Sequence, residues 1–245
     1  MTRSRLISLL ACLALVAPAS AFAESAAEHQ DMTQHCGPKR AATAVIVIHG
    51  GGFLHGEPTK TAAACEALGR NGWAVTNVDY PVGDFVGMAQ AVEAAATEAA
   101  RHSRRVFSYG ESAGGGLSAM AAARGWVDGA FAWAPVSNVL AWRASRQLTG
   151  SVWGAHLSEN DWTDFAQLSA ASWASVASAP IMVLHGRYDQ TVPIAESVAL
   201  KKLWPTMTLK QYKGGHWPNA KVRSTAVACF RGDPPCGWAR VAATK

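Results

Sequence analysis

No segment of this chain is long and apolar enough to cross a bilayer. The longest apolar stretch, Leu6–Val16, has 11 residues, whereas a membrane-spanning helix needs about 20. Stable membrane insertion is therefore not expected. Cysteine is scarce, with five in 245 residues, none at Cys-x-x-Cys spacing and none in a Cys/His cluster that suggests zinc. A zinc centre has no ligand set here, and no metal is expected. Nucleotide-binding signatures are missing too. Gly50, Gly52 and His55 do not complete Gly-x-Gly-x-x-Gly, and the chain has no Gly-Lys-Ser/Thr. No organic cofactor is implied, and no nucleic-acid-binding motif is present. Without internal repeats or a low-complexity linker, the chain reads as one globular domain.

What is present begins with a targeting segment. Arg3 and Arg5 form a positive start, Leu6–Val16 an apolar middle, and Ala21-Phe22-Ala23 a small-residue cleavage site. Residues 1–23 are expected to be a signal peptide that is removed. That leaves 24–245 as a single exported domain, periplasmic or secreted, from a bacterium. Apolar residues make up 49% of the chain, enough for a large core under two layers of helices. Strand-like runs near 44–49, 73–79, 105–109, 130–134, 181–185 and 208–212 alternate with helical segments near 60–70, 86–101, 113–124 and 193–203. The alternation predicts an α/β fold with a mostly parallel central sheet and helices on both faces.

Two glycine motifs carry the chemistry. Val106–Gly115 reads VFSYGESAGG, placing Gly110-Glu111-Ser112-Ala113-Gly114 between a strand-like run and an Ala-rich helical segment. A Gly-x-Ser-x-Gly in a strand–turn–helix context is a nucleophile elbow, which exposes the serine hydroxyl to a base. The second motif, His49-Gly50-Gly51-Gly52-Phe53, follows the strand-like AVIVIH. Its glycines let several amides converge where an oxyanion develops as a carbonyl carbon becomes tetrahedral. Gly51 and Gly52 supply two donors and Ala113, after the nucleophile, a third. The competing reading is a glycine turn that cradles an anion.

The acid and the base should follow the serine in that order. Pro180–Val192 reads PIMVLHGRYDQTV, with Asp189 just beyond a strand end, and Gly214-Gly215-His216-Trp217 puts a histidine on a loop beyond LKQY. Asp189 is the expected acid and His216 the expected base. Other candidates have simpler readings. His49 braces the glycine loop, His185 is a buried, hydrogen-bonded histidine, and Asp79 is structural. His55, His102 and His156 are misplaced in chain order for a base.

The pairs HGGGF and GESAGG, followed by HGxxD and GGH, resemble α/β-hydrolases of the hormone-sensitive-lipase and carboxylesterase type. The resemblance spans about Ala44 to Trp217. It implies Ser112 as nucleophile, Asp189 as acid, His216 as base, and Gly51, Gly52 and Ala113 as the oxyanion hole. Only a short mature segment precedes the first clear strand, and Pro81-Val82-Gly83-Asp84 replaces a stretch common in such esterases. Those departures favour a compact esterase, or a formamidase- or peptidase-like relative, over a lipase.

Removing residues 1–23 leaves four cysteines, an even number for an oxidising compartment. Gly232 and Pro234-Pro235 suit a local staple between Cys229 and Cys236, which leaves Cys36 to pair with Cys65. The mature formal charge is +3, and 201–245 holds nine Lys/Arg against one acid, Asp233. That asymmetry reads as a solvated basic face, or as attraction to an anionic envelope, polymer or substrate. The long connection Pro135–Ala179 carries Trp142, Trp153, Trp162 and Trp173 and is expected to form a short lid. Its tryptophans either pack that lid on the sheet or line the pocket. The expected function is cleavage of a small-molecule carboxylic ester, with short acyl groups, through an acyl-enzyme. The alternatives are an amide or peptide hydrolase with the same triad, or a non-catalytic binding protein.

Overall fold

The computed structural model describes residues 31–145, 159–217, 221–233 and Cys236. Residues 1–23, read above as a signal peptide, lie outside them, as do His156 and Trp153. Seven strands form one sheet: β1 (Gln34–Cys36), β2 (Thr43–Ile48), β3 (Ala74–Val78), β4 (Arg105–Glu111), β5 (Gly129–Trp133), β6 (Ile181–Gly186) and β7 (Met207–Tyr212). Their order is β1-β3-β2-β4-β5-β6-β7, parallel throughout except for the antiparallel β1–β3 pair. Six of the seven strands were expected from the sequence. β2 (TAVIVI) and β6 (IMVLHG) are buried along their whole length, as expected of parallel strands covered on both faces.

Side chains alternate across the sheet and so feed two cores. Ile46 and Ile48 face the cluster built with Met88, Val92, Leu117 and Phe165, whereas Val45 and Val47 face one with Leu68, Phe107, Phe131 and Phe230. The α-helices among the described residues are α1 (Ala62–Gly69), α2 (Phe85–His102), α3 (Ala113–Ala123), α4 (Val139–Ser145), α5 (Glu159–Leu168), α6 (Ala170–Trp173), α7 (Ile194–Leu203) and α8 (Lys221–Arg231), with α4, α5 and α6 packed on other helices rather than on the sheet. The α2 helix starts where Asp84 Oδ1 accepts from the Gly87 amide at 2.9 Å, a side-chain cap. Every residue of α3 (AGGGLSAMAAA) is buried. Small side chains let it lie close to the sheet and to its neighbours: a Cβ on Gly116 would stand 2.2 Å from the Val136 carbonyl oxygen.

The chain turns outward from β2 to β3, then crosses through α2 to β4 on the other side of β2. The loops leaving β2 and β4 therefore emerge side by side, at the kind of switch point where open α/β sheets build their sites. Both expected cysteine pairs are bonded: Cys36 with Cys65 (Cα–Cα 5.7 Å) and Cys229 with Cys236 (4.9 Å). The first ties the short edge strand β1 to α1. No helix among the described residues is long and apolar enough to cross a membrane, and no metal-binding group of His, Cys, Asp and Glu occurs among them.

Candidate active site

One residue, Ser112, joins β4 to α3, at φ 57° and ψ −119°. A non-glycine residue held there stores about 1–3 kcal/mol of strain, which the surrounding structure must impose. Here the Ser112 amide donates to the Trp133 carbonyl at 2.8 Å, and its carbonyl accepts from Gly116 and Val136 at 3.0 and 3.2 Å. The flanking glycines make the joint sterically possible. A Cβ on Gly110 would lie 2.0 Å from the Gly114 carbonyl oxygen, and one on Gly114 would lie 2.2 Å from that of His49. The serine hydroxyl thus sits at the N-terminus of α3, where the helix dipole favours negative charge.

The glycine loop after β2 faces it. Gly51 and Gly52 have φ of 130° and 61°, and a Cβ on Gly51 would overlap the His55 carbonyl at 1.8 Å. Among the described residues, the amides of Gly51, Gly52 and Ala113 donate to no carbonyl. His49 lies beneath the loop, fully buried, stacked on Tyr80 at 4.1 Å between ring centroids. Its Nδ1 donates to the Gly50 carbonyl at 2.8 Å, and Tyr80 Oη donates to the His49 carbonyl at 2.7 Å. Burial lowers the His49 pKa, so it stays neutral. It braces the loop, as its sequence position suggested.

His216 comes from the loop after β7. Its Nε2 is 3.0 Å from Ser112 Oγ, and its Nδ1 is 2.7 Å from Asp189 Oδ2. The structure therefore brings the expected serine, histidine and aspartate into one hydrogen-bonded chain. Asp189 is 7% exposed, and its Oδ1 accepts from the amides of Thr191 and Val192, each at 2.8 Å. Burial pushes its carboxyl up, but hydrogen bonds from His185, His216 and the Val192 amide together hold it well below the usual carboxylate range. An ionised partner is what an imidazole needs to carry a proton briefly. The histidine loop is propped from below: Trp133 Nε1 donates to Tyr212 Oη at 3.2 Å, and Tyr212 Oη donates to the Gly215 carbonyl at 3.0 Å.

These groups open into a cavity of about 430 Å³ lined by the glycine loop, His55, Lys60, Glu111, Ser112, Trp133, Thr191, His216 and Trp217. Trp217 is 82% exposed and lies edge-on to His216, with 5.7 Å between centroids. Among the described residues the cavity's aromatic walls are thus Trp133 and Trp217. The expected lid supplies neither of them. Trp142 is buried against Phe53 and donates to the Thr191 carbonyl at 2.9 Å, so it packs between the glycine loop and the Asp189 loop. Trp173 packs beside Arg124. No described residue of 135–179 lines the cavity, and the lid reading rests on residues outside the described ones. The sequence signal for Trp217 was its place directly after the candidate base.

Residues 31–203 match the BD-FAE family. The chain belongs to that family. BD-FAE is an α/β-hydrolase-type esterase domain, and this member is a carboxylic ester hydrolase. The matched segment holds Ser112 and Asp189 but ends before His216, whose placement comes from the geometry above. Solved structures with a similar fold include a truncated carbohydrate esterase from gut microbiota. It has 19% identity and a TM-score of 0.63, with 79% of this chain and 86% of that chain covered. Another is esterase B from Lactobacillus rhamnosis, bearing a tributyrin phosphonate inhibitor (21%, 0.64, 80% and 77%). A third is a monoacylglycerol lipase from Paleococcus ferrophilus (18%, 0.61, 82% and 98%). No curated protein matches the sequence.

Proposed function

We propose that this BD-FAE domain is an exported serine esterase that cleaves short-chain carboxylic esters through an acyl-enzyme on Ser112. The reading is carried by one observation: the continuous Asp189–His216–Ser112 hydrogen-bond chain opening into the glycine-lined cavity. His216 Nε2 takes the hydroxyl proton as Ser112 Oγ attacks the ester carbonyl carbon. Asp189 fixes the Nδ1–H tautomer and stabilises the imidazolium. The amides of Gly51, Gly52 and Ala113 hold the oxyanion, aided by the positive end of α3. As the tetrahedral adduct collapses, His216 returns the proton to the departing alcohol. Water, deprotonated by His216, then attacks the acyl-enzyme and releases the acid and free Ser112. The esterases among the structural neighbours support an ester over an amide as the scissile bond. Two disulfide pairs support an oxidising compartment, and with it the removal of residues 1–23 on export.

The test combines a fluorophosphonate probe with hydrolysis of p-nitrophenyl acetate. The native protein should label at Ser112, as read by peptide mass spectrometry. Ser112→Ala and His216→Ala should each lose at least about 10³-fold in kcat/KM while remaining folded. Near-native turnover by folded Ser112→Ala defeats the mechanism.

A further inference from the structure

His185 ends the buried strand β6, fully shielded from solvent, and it does not touch the cavity. Its ring is nevertheless in contact with the acid. Nε2 lies 2.8 Å from the Val192 carbonyl oxygen and 3.3 Å from Asp189 Oδ2, and Nδ1 lies 2.7 Å from Ser197 Oγ on α7. A carbonyl oxygen and an ionised carboxylate only accept, so Nε2 must carry the hydrogen. In the neutral ring Nδ1 then accepts from the Ser197 hydroxyl, and both nitrogens are satisfied.

We propose that His185 is a positioning residue, a second imidazole that holds Asp189 Oδ2 against His216. The inference rests on the assignment of Ser112, His216 and Asp189 made above. Asp189 Oδ1 is pinned by the Thr191 and Val192 amides, while Oδ2 lies between two histidines. The His185 N–H donates to the Val192 carbonyl, and the same ring nitrogen stands 3.3 Å from Oδ2. One ring thereby grips the carboxylate directly and also the turn whose amide clamps its other oxygen. Without that ring the carboxylate can pivot about Oδ1, and Oδ2 loses a donor that favours its charged form. Ser197 acts one step further out, by fixing which ring nitrogen carries the hydrogen. The charged groups facing His185 are Asp189 and, from α7, Glu196. The Glu196 carboxylate is itself held by the Ser137 hydroxyl and the Asn138 amide at 3.0 and 2.9 Å.

Three substitutions separate positioning from mere packing. His185→Leu fills the site without a donor, His185→Gln places an amide nitrogen near the position of Nε2, and Ser197→Ala removes only the outer hydroxyl. Each is measured for kcat, KM and the pH profile of kcat/KM on p-nitrophenyl acetate, together with Tm. His185→Leu should lose at least about tenfold in kcat, by analogy with groups that orient metal ligands, with KM little changed. Its acidic limb should move to lower pH, because an imidazolium whose carboxylate partner has slipped is less stable. His185→Gln should recover most of the rate and restore the limb, and Ser197→Ala should fall between. If His185→Leu does not fold, the shift of the limb in Ser197→Ala decides the matter. Folded variants with native kcat and limb, differing only in Tm, overturn the proposal. Ser112→Ala is the control. If it is dead while the His185 variants are native, only the clamp fails. If it is active, the triad reading fails and the clamp with it.

Discussion

Gly186 and Gly215 meet backbone to backbone: a Cβ on Gly186 would stand 2.3 Å from the Gly215 carbonyl oxygen and 2.5 Å from that of Gly214. The glycine of the His185-Gly186 pair is therefore the seat of the loop that carries His216. Gly186→Ala should lift that loop from β6, lowering kcat and costing about 1–3 kcal/mol of stability, as overpacking does. The reverse partner gives a control, since a Cβ on Gly215 would meet only the Tyr188 carbonyl oxygen, at 3.8 Å. Gly215→Ala should stay near native in both kcat and Tm. Equal damage from the two substitutions would contradict this account.

Glu111, beside Ser112, sets a pH dependence of stability. Its Oε1 accepts from Tyr109 Oη at 2.5 Å. Burial raises its carboxyl pKa, opposed by that hydrogen bond and by the positive charge of Arg223 and His216. An unfolded glutamate titrates at about 4.3, so the fold binds this proton more tightly than the unfolded chain does. The stability it contributes is fully present below that pH and is lost as pH rises through the raised folded value. Glu111→Gln keeps the acceptor for Tyr109 and removes the charge. Its Tm should exceed that of the native protein at pH 7 and lose this advantage toward pH 4. A lower Tm at pH 7 would mean that Arg223 outweighs burial.

Asp189 has the opposite sign. Its carboxyl is depressed in the fold, so its contribution is present above the unfolded value of about 3.9 and fades as pH falls below it. Asp189→Asn should flatten the acid side of the stability curve, measured as Tm against pH. It should also impair turnover by offering His216 an amide that favours the wrong tautomer; a drop of about 10⁴ is known for such a change in a serine protease. Native turnover in Asp189→Asn would point to another carboxylate as the orienting group.

Intact-mass measurement after alkylation, with and without reduction, should show two disulfides and no free thiol in protein recovered from an oxidising compartment. Each bond should contribute about 2–4 kcal/mol, chiefly by constraining the unfolded chain. The Cys36–Cys65 bond closes the longer loop, 29 residues against 7, and its loss should lower Tm more. Four alkylatable thiols would refute both pairings in solution.

Acyl-chain preference follows from the shape of the site. A buried methylene contributes about 0.8 kcal/mol, so a deep apolar tunnel rewards each added carbon. The cavity of about 430 Å³ is bounded instead by glycine backbone, Lys60, His55 and two tryptophans. On monomeric p-nitrophenyl esters, kcat/KM should peak between acetate and hexanoate and fall by dodecanoate. A maximum at decanoate or longer would require an acyl channel that these walls do not provide.

Legibility in the sequence tracked the strength of the local pattern. β2, β4 and β6 are buried runs, and Gly110, Gly114 and Gly186 mark close approaches that no other residue allows, so the sheet and its three site loops were readable. β1 was not, because its three residues alternate between half-buried and exposed and it is held in place by pairing with β3 and by the Cys36–Cys65 bond. The helix α8 (KVRSTAVACFR) was missed because its apolar residues fall mostly in one continuous run, 226–230, which shows no helical period of its own. Two features of the site lay hidden for a different reason. Trp133 becomes a cavity wall only because β5 ends beside β4 at the register Glu111↔Trp133. The second grip on Asp189 depends on where α7 presents Ser197. Sequence spacing shows which residues follow a strand, but not which neighbour they will meet across it.

Because His216 lies beyond β7, the site is completed by the last strand in the sheet. Among the described residues the β7 strand pairs only with β6, and its residues are mostly half-buried or exposed. Ser112, the glycine loop and Asp189 all belong to segments that precede it in the chain. On the proposed mechanism, a chain whose β7 has not docked lacks its base. Hydrolysis by that mechanism requires this strand to be docked. Turnover in a refolding experiment is thus a clock for edge closure rather than for core formation, and it should lag the fluorescence change of the buried tryptophans.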